Sequence, residues 1–235
     1  VNSDGCPDIY VANDFHEDDY LYVNDCDGTF TERLRASMGH TSLSSMGTDA
    51  ADVNNDGRPD LAVLDMLPDD EAVRKRSAGP ESREVYNIKR RYGYYPQYTR
   101  NTLQLNQGHG RFSEIGALAG IEATDWSWAP LLADYNLDGH KDLFVTNGIP
   151  RRPNDLDYVD FASGRGAASE REEELSAEEL AQHRERMPEP RIMPSATTPR
   201  GSTLRTSLLR GASTITGYRR GRPTPTSTAT AISTS

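Results

Sequence analysis

The stretch Asp134-Tyr135-Asn136-Leu137-Asp138-Gly139-His140-Lys141-Asp142 decides how the rest of the chain is read. Oxygen-bearing side chains stand at its positions 1, 3, 5 and 9, and glycine stands at position 6. Calcium takes about 6–8 oxygen ligands, and alternate residues of a tightly curled loop point inward. Glycine supplies the positive φ that brings the backbone carbonyl of position 7 in beside the carboxylates. The same register returns at Asp52-Val53-Asn54-Asn55-Asp56-Gly57-Arg58-Pro59-Asp60, and without its first member at Asn2-Ser3-Asp4-Gly5-Cys6-Pro7-Asp8. The expected Ca2+ ligands are therefore Asp52, Asn54, Asp56, Asp60 and the Arg58 carbonyl. Their counterparts are Asp134, Asn136, Asp138, Asp142 and the His140 carbonyl, then Asn2, Asp4, Asp8 and the Cys6 carbonyl. Asp, Asn and Gly also make ordinary turns. One copy would fit that reading, and three in one register favour the cation.

The residues just downstream of each loop set the architecture. An EF-hand loop closes with Glu at position 12 and runs between helices, but position 12 here is Val63 or Val145. Leu61–Leu64, Leu143–Thr146 and Ile9–Ala12 are short runs rich in β-branched and aromatic residues, which read as strands. The loop belongs to a β protein, and the EF-hand is rejected.

The chain also repeats itself. Tyr22-Val-Asn24-Asp-Cys-Asp-Gly28-Thr-Phe30 aligns with Gln104-Leu-Asn106-Gln-Gly-His-Gly110-Arg-Phe112. Asn24 precedes Asp52, and Asn106 precedes Asp134, by the same 28 residues, while Phe30 and Phe112 precede them by 22. Each unit reads strand, tight turn, strand (Phe30–Leu34 or Phe112–Ile115), small loop, Ala-rich strand, cation loop and last strand. Four strands at this spacing are the arithmetic of a propeller blade. The expected fold class is all-β, a partial β-propeller of four-stranded blades with calcium loops, plus two partly helical insertions. The expected division is propeller units at 1–65, an insertion at 66–102, a second complete unit at 103–148, a charged insertion at 149–190 and a tail at 191–235.

The phrase Asp-x-Asn-x-Asp-Gly-x-x-Asp-Leu, preceded by Asn-x-x-x-Gly-x-Phe, resembles the FG-GAP/VCBS repeats of integrin-α-like β-propellers. Tyr10-Val-Ala-Asn-Asp-Phe15 and Ala123-Thr-Asp-Trp-Ser-Trp-Ala-Pro130 resemble bacterial relatives of the cartilage acidic protein family, whose repeats commonly precede an ASPIC/UnbV module. That likeness implies a secreted, periplasmic or surface-anchored propeller, usually of seven blades. It implies recognition or adhesion toward an extracellular protein or glycan.

Composition narrows the partners. The formal net charge of the 235 residues is −10, and residues 191–235 hold seven Arg and no Asp, Glu or Lys. That leaves residues 1–190 at −17, which argues against nucleic acid. A mean hydropathy of −0.73 suits a loop-rich surface, and no apolar run of about 20 residues spans a membrane. The sequence opens inside a motif and reads as a fragment.

Three features carry two readings each. Cys6 and Cys26 flank a hairpin of Ile9–Ala12 and Tyr20–Val23, so they are either a disulfide or two separate thiols. Tyr92-Gly-Tyr-Tyr-Pro-Gln-Tyr98 follows a helical pattern over Glu81–Arg91 with Val85, Ile88 and Tyr92 on one face. It either holds the insertion down or offers aromatic contact area. Trp126 and Trp128 face one side of a strand, as packing between blades or as a sugar platform.

Two segments close the chain. Ala167–Arg186 reads as an exposed helix, with Ser169 and Ser176 as N-caps and Ser176-Ala-Glu-Glu179 as a capping box. The Thr-, Ser-, Arg- and Pro-rich tail reads either as disorder or as a third unit in a shifted reading frame, since one base of displacement turns Thr226–Ser235 into another calcium loop.

No catalytic residues are expected. The alternative is a propeller enzyme or accessory domain acting on polysaccharide. It would draw on Asp14, Glu17, Asp18, Asp19, Asp65 or Asp125 and on His16, His40, His109, His140 or His183, none paired at a diagnostic spacing.

Overall fold

The short β-branched runs around each oxygen-rich loop become strands in the computed structural model, which describes residues 1–77, 79, 82–149, 151–166 and 176–188. In chain order the elements are β1 (Ile9–Val11), β2 (Tyr20–Asn24), β3 (Phe30–Glu32), α1 (Leu34–Ser37), β4 (Thr41–Ser42), β5 (Gly47–Ala51) and β6 (Asp60–Leu64). Then come α2 (Glu71–Arg76), α3 (Arg83–Arg91), β7 (Gln97–Tyr98), β8 (Thr102–Gly108), β9 (Arg111–Glu114) and α4 (Gly116–Ala119). The last are β10 (Ser127–Ala133), β11 (Asp142–Asn147), α5 (Leu156–Gly166) and α6 (Ala177–Arg186). Among the described residues, no helix is long and apolar enough to cross a membrane.

The main strands form three antiparallel sheets: β1-β2-β3 in front, β5-β6-β8-β9 in the middle, and β10-β11 behind. This is the all-β class expected. The grouping of strands differs from the expected one. The hairpin of residues 20–34 does not share a sheet with the strands around loop 52–60. The strand leaving each loop pairs instead with the next hairpin: β1 with β2 (Tyr10 opposite Leu21) and β6 with β8 (Ala62 opposite Leu103). The four-stranded sheet is thus drawn from two repeat units. Residues 66–101 consequently leave and re-enter between two neighbouring strands of one sheet.

Alternation along β6 explains the stacking. Leu61 packs in one cluster with Leu21, Leu34, Met38 and Phe112, between the front and middle sheets. Ala62 and Leu64 pack in the other with Val53, Leu103, Ile121, Leu143 and Val145, between the middle and rear sheets. A period of two sends successive side chains to opposite faces, so one fully buried strand welds three layers. β5 and β10 approach closely at Gly47, where a Cβ would stand 2.3 Å from the Trp128 carbonyl oxygen. Only glycine fits that crossing.

The second strand of each hairpin ends earlier than its apolar pattern suggests. Glu32 Oε1 accepts from the Leu34 and Leu21 N–H groups at 2.7 and 3.2 Å. Glu114 Oε1 does the same for Gly116 and Leu103, at 2.5 and 3.3 Å. A carboxylate at that point ends the strand by collecting the first N–H of a helical turn, which becomes α1 or α4.

The insertion lies against the front sheet's connections. β7 pairs with β4 in parallel, the Tyr95 N–H donates to Asp18 Oδ1 at 3.1 Å, and Tyr95 OH bonds the Met38 carbonyl. Tyr86 stacks on Tyr98 with ring centroids 5.8 Å apart. The expected apolar face of α3 is not buried: Ile88 is 51% exposed and Tyr92 81% exposed. Tyr95 and the tyrosine stack anchor the segment instead. Ser176 and Glu179 form the expected capping box. α5, which the apolar pattern does not announce, occupies 156–166, while residues 167–175, with Ser169, and the tail 191–235 lie outside the described residues.

Candidate metal centre

Three loops with one hydrogen-bonding scheme make up the candidate centre. In the loop between β5 and β6, the Asp52 carboxylate accepts from the Asp56 and Gly57 N–H groups at 3.0 and 2.7 Å. Asn54 Oδ1 also accepts from Asp56 N–H (3.2 Å), and Asp56 Oδ1 accepts from Arg58 N–H (3.0 Å). The loop between β10 and β11 repeats this bond for bond. Asp134 takes Asp138 and Gly139 at 3.0 and 2.8 Å, Asn136 takes Asp138 at 3.0 Å, and Asp138 takes His140 at 3.0 Å. In front, Asn2 takes Asp4 at 3.3 Å and Asp4 takes Cys6 at 2.8 Å.

The backbone is equally regular. Position 6 is left-handed at Gly5, Gly57 and Gly139 (φ 87°, 85° and 87°). Position 4 is left-handed too, at Ser3, Asn55 and Leu137 (φ 63°, 60° and 61°). A leucine in that region is uncommon, and Leu137 holds it while 88% exposed. The loop's own carboxylates, by gathering successive N–H groups, over-determine a backbone its sequence would not choose.

Positions 1, 3 and 5 are thus wound onto one short arc. Position 9 also reaches outside the arc. Asp60 is fully buried; its Oδ2 accepts from Val53 N–H (2.9 Å) and its Oδ1 from the N–H of Asn106 in the next hairpin (2.7 Å). Asp8 Oδ1 takes Asn24 N–H at 2.8 Å, and Asp142 Oδ2 takes Tyr135 N–H at 3.1 Å. The Asn106 and Asn24 amides donate to the Pro59 and Pro7 carbonyls, each at 3.1 Å. Position 9 is therefore a joint between loop and hairpin. Sequence reasoning placed Asn24 and Asn106 in the repeat without seeing this role, which their fixed spacing from the loops signals.

Position 7 latches the same joint. Cys6 is disulfide-bonded to Cys26, with Cα atoms 5.8 Å apart. The equivalent pair in the middle sheet is Arg58 and Gly108: the Arg58 Cδ lies 3.8 Å from where a Gly108 Cβ would be. Arg58 Nε donates to the Asn106 carbonyl at 3.1 Å, and its Nη2 to Asp56 Oδ2 at 2.6 Å. The two complete loops also touch, since Asn55 Nδ2 donates to the Gly139 carbonyl at 2.9 Å and lies 3.2 Å from His140 Nδ1.

Charge in these loops is poorly compensated. Burial pushes the Asp60 carboxyl up, Asp56 and Asp52 push it further, and the Asn106 and Val53 N–H groups only partly offset them. Asp142 is raised in the same way, by burial and then by Asp138 and Asp134. At Asp56 desolvation, the largest single influence, is outweighed by Asn54, the Arg58 N–H and the Arg58 guanidinium together, and its carboxyl lies below the usual range.

The donor set suits a hard divalent ion, being oxygen throughout. Asp52, Asn54, Asp56 and Asp60, or Asp134, Asn136, Asp138 and Asp142, would supply side-chain ligands, with Arg58 or His140 lending a carbonyl; Asn2, Asp4, Asp8 and the Cys6 carbonyl are their counterparts in front. Among the described residues, the only convergence of three His, Cys, Asp or Glu ligand atoms within 4.8 Å is Asp4, Cys6 and Cys26. Its sulfurs are tied in the disulfide and are not thiolate ligands.

The acids left over by the loops have other work. Glu17 accepts from Tyr20 OH, and Asp18 pairs with Arg35 at 2.7 Å. Asp19 accepts from Tyr10 OH at 2.5 Å and Asn13 N–H at 2.8 Å. Asp65 accepts from Ser42, Leu43 and Ser44, and Asp125 is ion-paired with Arg152. The backbone of Asp14 forms an isolated antiparallel bridge with that of Ser44. Trp126 is half-buried and Trp128 is 46% exposed, both lining a groove of about 760 Å³ with Ile149, Leu180 and Met187.

The family profile of the FG-GAP-like repeat matches residues 1–63 and 92–145. The gap between the matches holds most of the insertion, and the matched parts hold all three loops and both hairpins. No curated protein matches the chain.

Proposed function

From the FG-GAP-like repeats carried by residues 1–63 and 92–145, we propose that this is a non-catalytic, calcium-stabilised β-propeller module that recognises an extracellular protein or glycan. One observation carries the reading: a single oxygen-rich loop is built twice in full and once without its first position, with matching acceptors, donors and left-handed positions. A cation bound by positions 1, 3, 5 and 9 and the position-7 carbonyl neutralises carboxylates that otherwise repel one another. It thereby fixes the ends of β5, β6, β10 and β11. Its role is structural, and recognition falls to the surfaces between loops. The insertion with Tyr92, Tyr94 and Tyr98 is the most aromatic of these surfaces. Extracellular placement agrees with the Cys6–Cys26 bond. The likeness of Tyr10–Phe15 and Ala123–Pro130 to the cartilage acidic protein relatives belongs to the same proposal.

The test is thermal melting of the whole chain against calcium concentration. The melting temperature is expected to rise with calcium and to rise less in Asp56→Ala and Asp138→Ala. A chain shown to be folded whose melting ignores calcium would reduce the loops to turns and overturn the proposal.

A further inference from the structure

Helix α3 is built inside out. Along its nine residues only Tyr86 and Lys89 are partly withdrawn from solvent, and three positions apart they share the face turned to the body of the protein. That face is polar. Tyr86 stacks on Tyr98 with the two hydroxyls 3.2 Å apart, and Lys89 Nζ donates to Gln97 Oε1 at 3.1 Å. Val85, Ile88 and Tyr92, spaced i, i+3 and i+7, share another face and are 42%, 51% and 81% exposed. A surface helix ordinarily turns such a stripe to the core. Here the stripe is uncovered among the described residues, and its backing is what a solvent face would be.

Charge around the stripe narrows what covers it. Residues 82–100 hold Arg83, Lys89, Arg90, Arg91 and Arg100 against Glu84, a balance of +4 inside a stretch, 1–190, that stands at −17. Arg83 and Arg91 are exposed, and neither is ion-paired among the described residues. A basic rim around an apolar stripe calls for an anionic surface. Three side chains fall far short of the roughly 20–30 residues a side that a stable protein interface uses. Shallow insertion among lipid headgroups needs less, because basic residues add to a small buried apolar area. Tyr92, and Tyr94 at 43% exposure, suit that depth, with an apolar ring and a hydroxyl left in water. We propose that α3 is a docking surface for an anionic lipid bilayer. It lies flat in the headgroup layer, with Val85, Ile88 and Tyr92 inserted and Arg83 and Arg91 on lipid phosphates. The acidic remainder of the chain is repelled by the same bilayer, so this face alone is presented to it.

The test sediments the whole chain with vesicles of phosphatidylcholine alone, or of phosphatidylcholine and phosphatidylglycerol in equal parts. Calcium is present throughout, so the fold's own need for it is not at issue. Binding to the mixed vesicles is expected, weakening as salt is raised. Arg83→Gln with Arg91→Gln is expected to weaken it about thirtyfold, at about fivefold for each basic residue. Ile88→Ser with Tyr92→Ser is expected to weaken it at least about tenfold. All four side chains are exposed, so the circular dichroism of both variants is expected to match the wild type. Equal binding to the neutral vesicles would overturn the proposal. Binding that both variants keep would do so too, since calcium bridging of the acidic loops to lipid would behave that way. No binding to either vesicle would also overturn it. Self-association lost in Ile88→Ser with Tyr92→Ser would then give the stripe to a second copy.

Discussion

The front and middle sheets fasten loop to hairpin at the same three points but with different chemistry. At position 9 both use an aspartate, Asp8 or Asp60, on an asparagine N–H. At position 7 the front sheet uses the Cys6–Cys26 bond and the middle sheet lays Arg58 over Gly108. At the far end, Asn13 N–H donates to the Asp19 carboxylate in front, while Asp65 N–H donates to the Asn101 amide oxygen in the middle. The donor and acceptor geometry is kept; the acceptor's ability to titrate and the covalent character of the latch vary. The rear sheet, with the loop but no hairpin among the described residues, shows the joint half made.

The largest expected effect breaks the position-9 equivalence. In calcium-free buffer, Asp60→Ala strands two buried N–H groups and is expected to lose about 4 kcal/mol, against about 2 for Asp142→Ala, which leaves no neighbouring hairpin without its acceptor. Urea unfolding decides it, and equal losses would mean the rear joint is no weaker. Next, replacing both cysteines by serine opens the front latch and is expected to cost about 3 kcal/mol, from a closed loop of this length.

The third prediction sets the titratable clasp against the neutral one. Burial raises the Asp19 carboxyl from 3.8 to about 6. Because the folded value is the higher, protonation favours the fold. The contribution is complete below about pH 3.8 and lost as pH rises through about 6. Relative to Asp19→Asn, the wild-type chain is therefore expected to lose about 2 kcal/mol across that interval. Parallel stability–pH curves for the two proteins would remove the distinction. The smallest expected effect is Arg58→Ala, at about 1 kcal/mol. Gly108 and Cys26 both sit at positive φ (78° and 60°), so Arg58→Cys with Gly108→Cys is expected to form a disulfide, read as a mass loss of about 2 Da. Free thiols in the folded double variant would separate the two latches.

Much of the molecule is legible in the sequence. The loops, the strands leaving them, the first hairpin and the capping box all come from local chemistry that a few neighbouring residues determine. The assignment of strands to sheets does not. The spacing from Asn24 to Asp52 says that both recur together, not that they lie in one sheet, and the Asp60–Asn106 bond that joins them across units spans 46 positions. The apolar face of α3 misleads for a related reason. Periodicity shows which side chains share a face, but Tyr95 and the tyrosine stack decide which face is turned inward.

The excursion of residues 66–101 begins at Asp65 and returns at Asn101, where the two are hydrogen-bonded at 2.7 Å in a buried setting. Whatever is strung between them starts and finishes at a single fixed point, and lengthening a closed loop costs little once its ends are held. The sheet therefore tolerates a change of length between those ends so long as Tyr95 and β7 keep their hold on the front sheet's connections. The part ahead of Tyr95 is a socket for cargo, where a foreign segment can be grafted while the strands beneath keep their register.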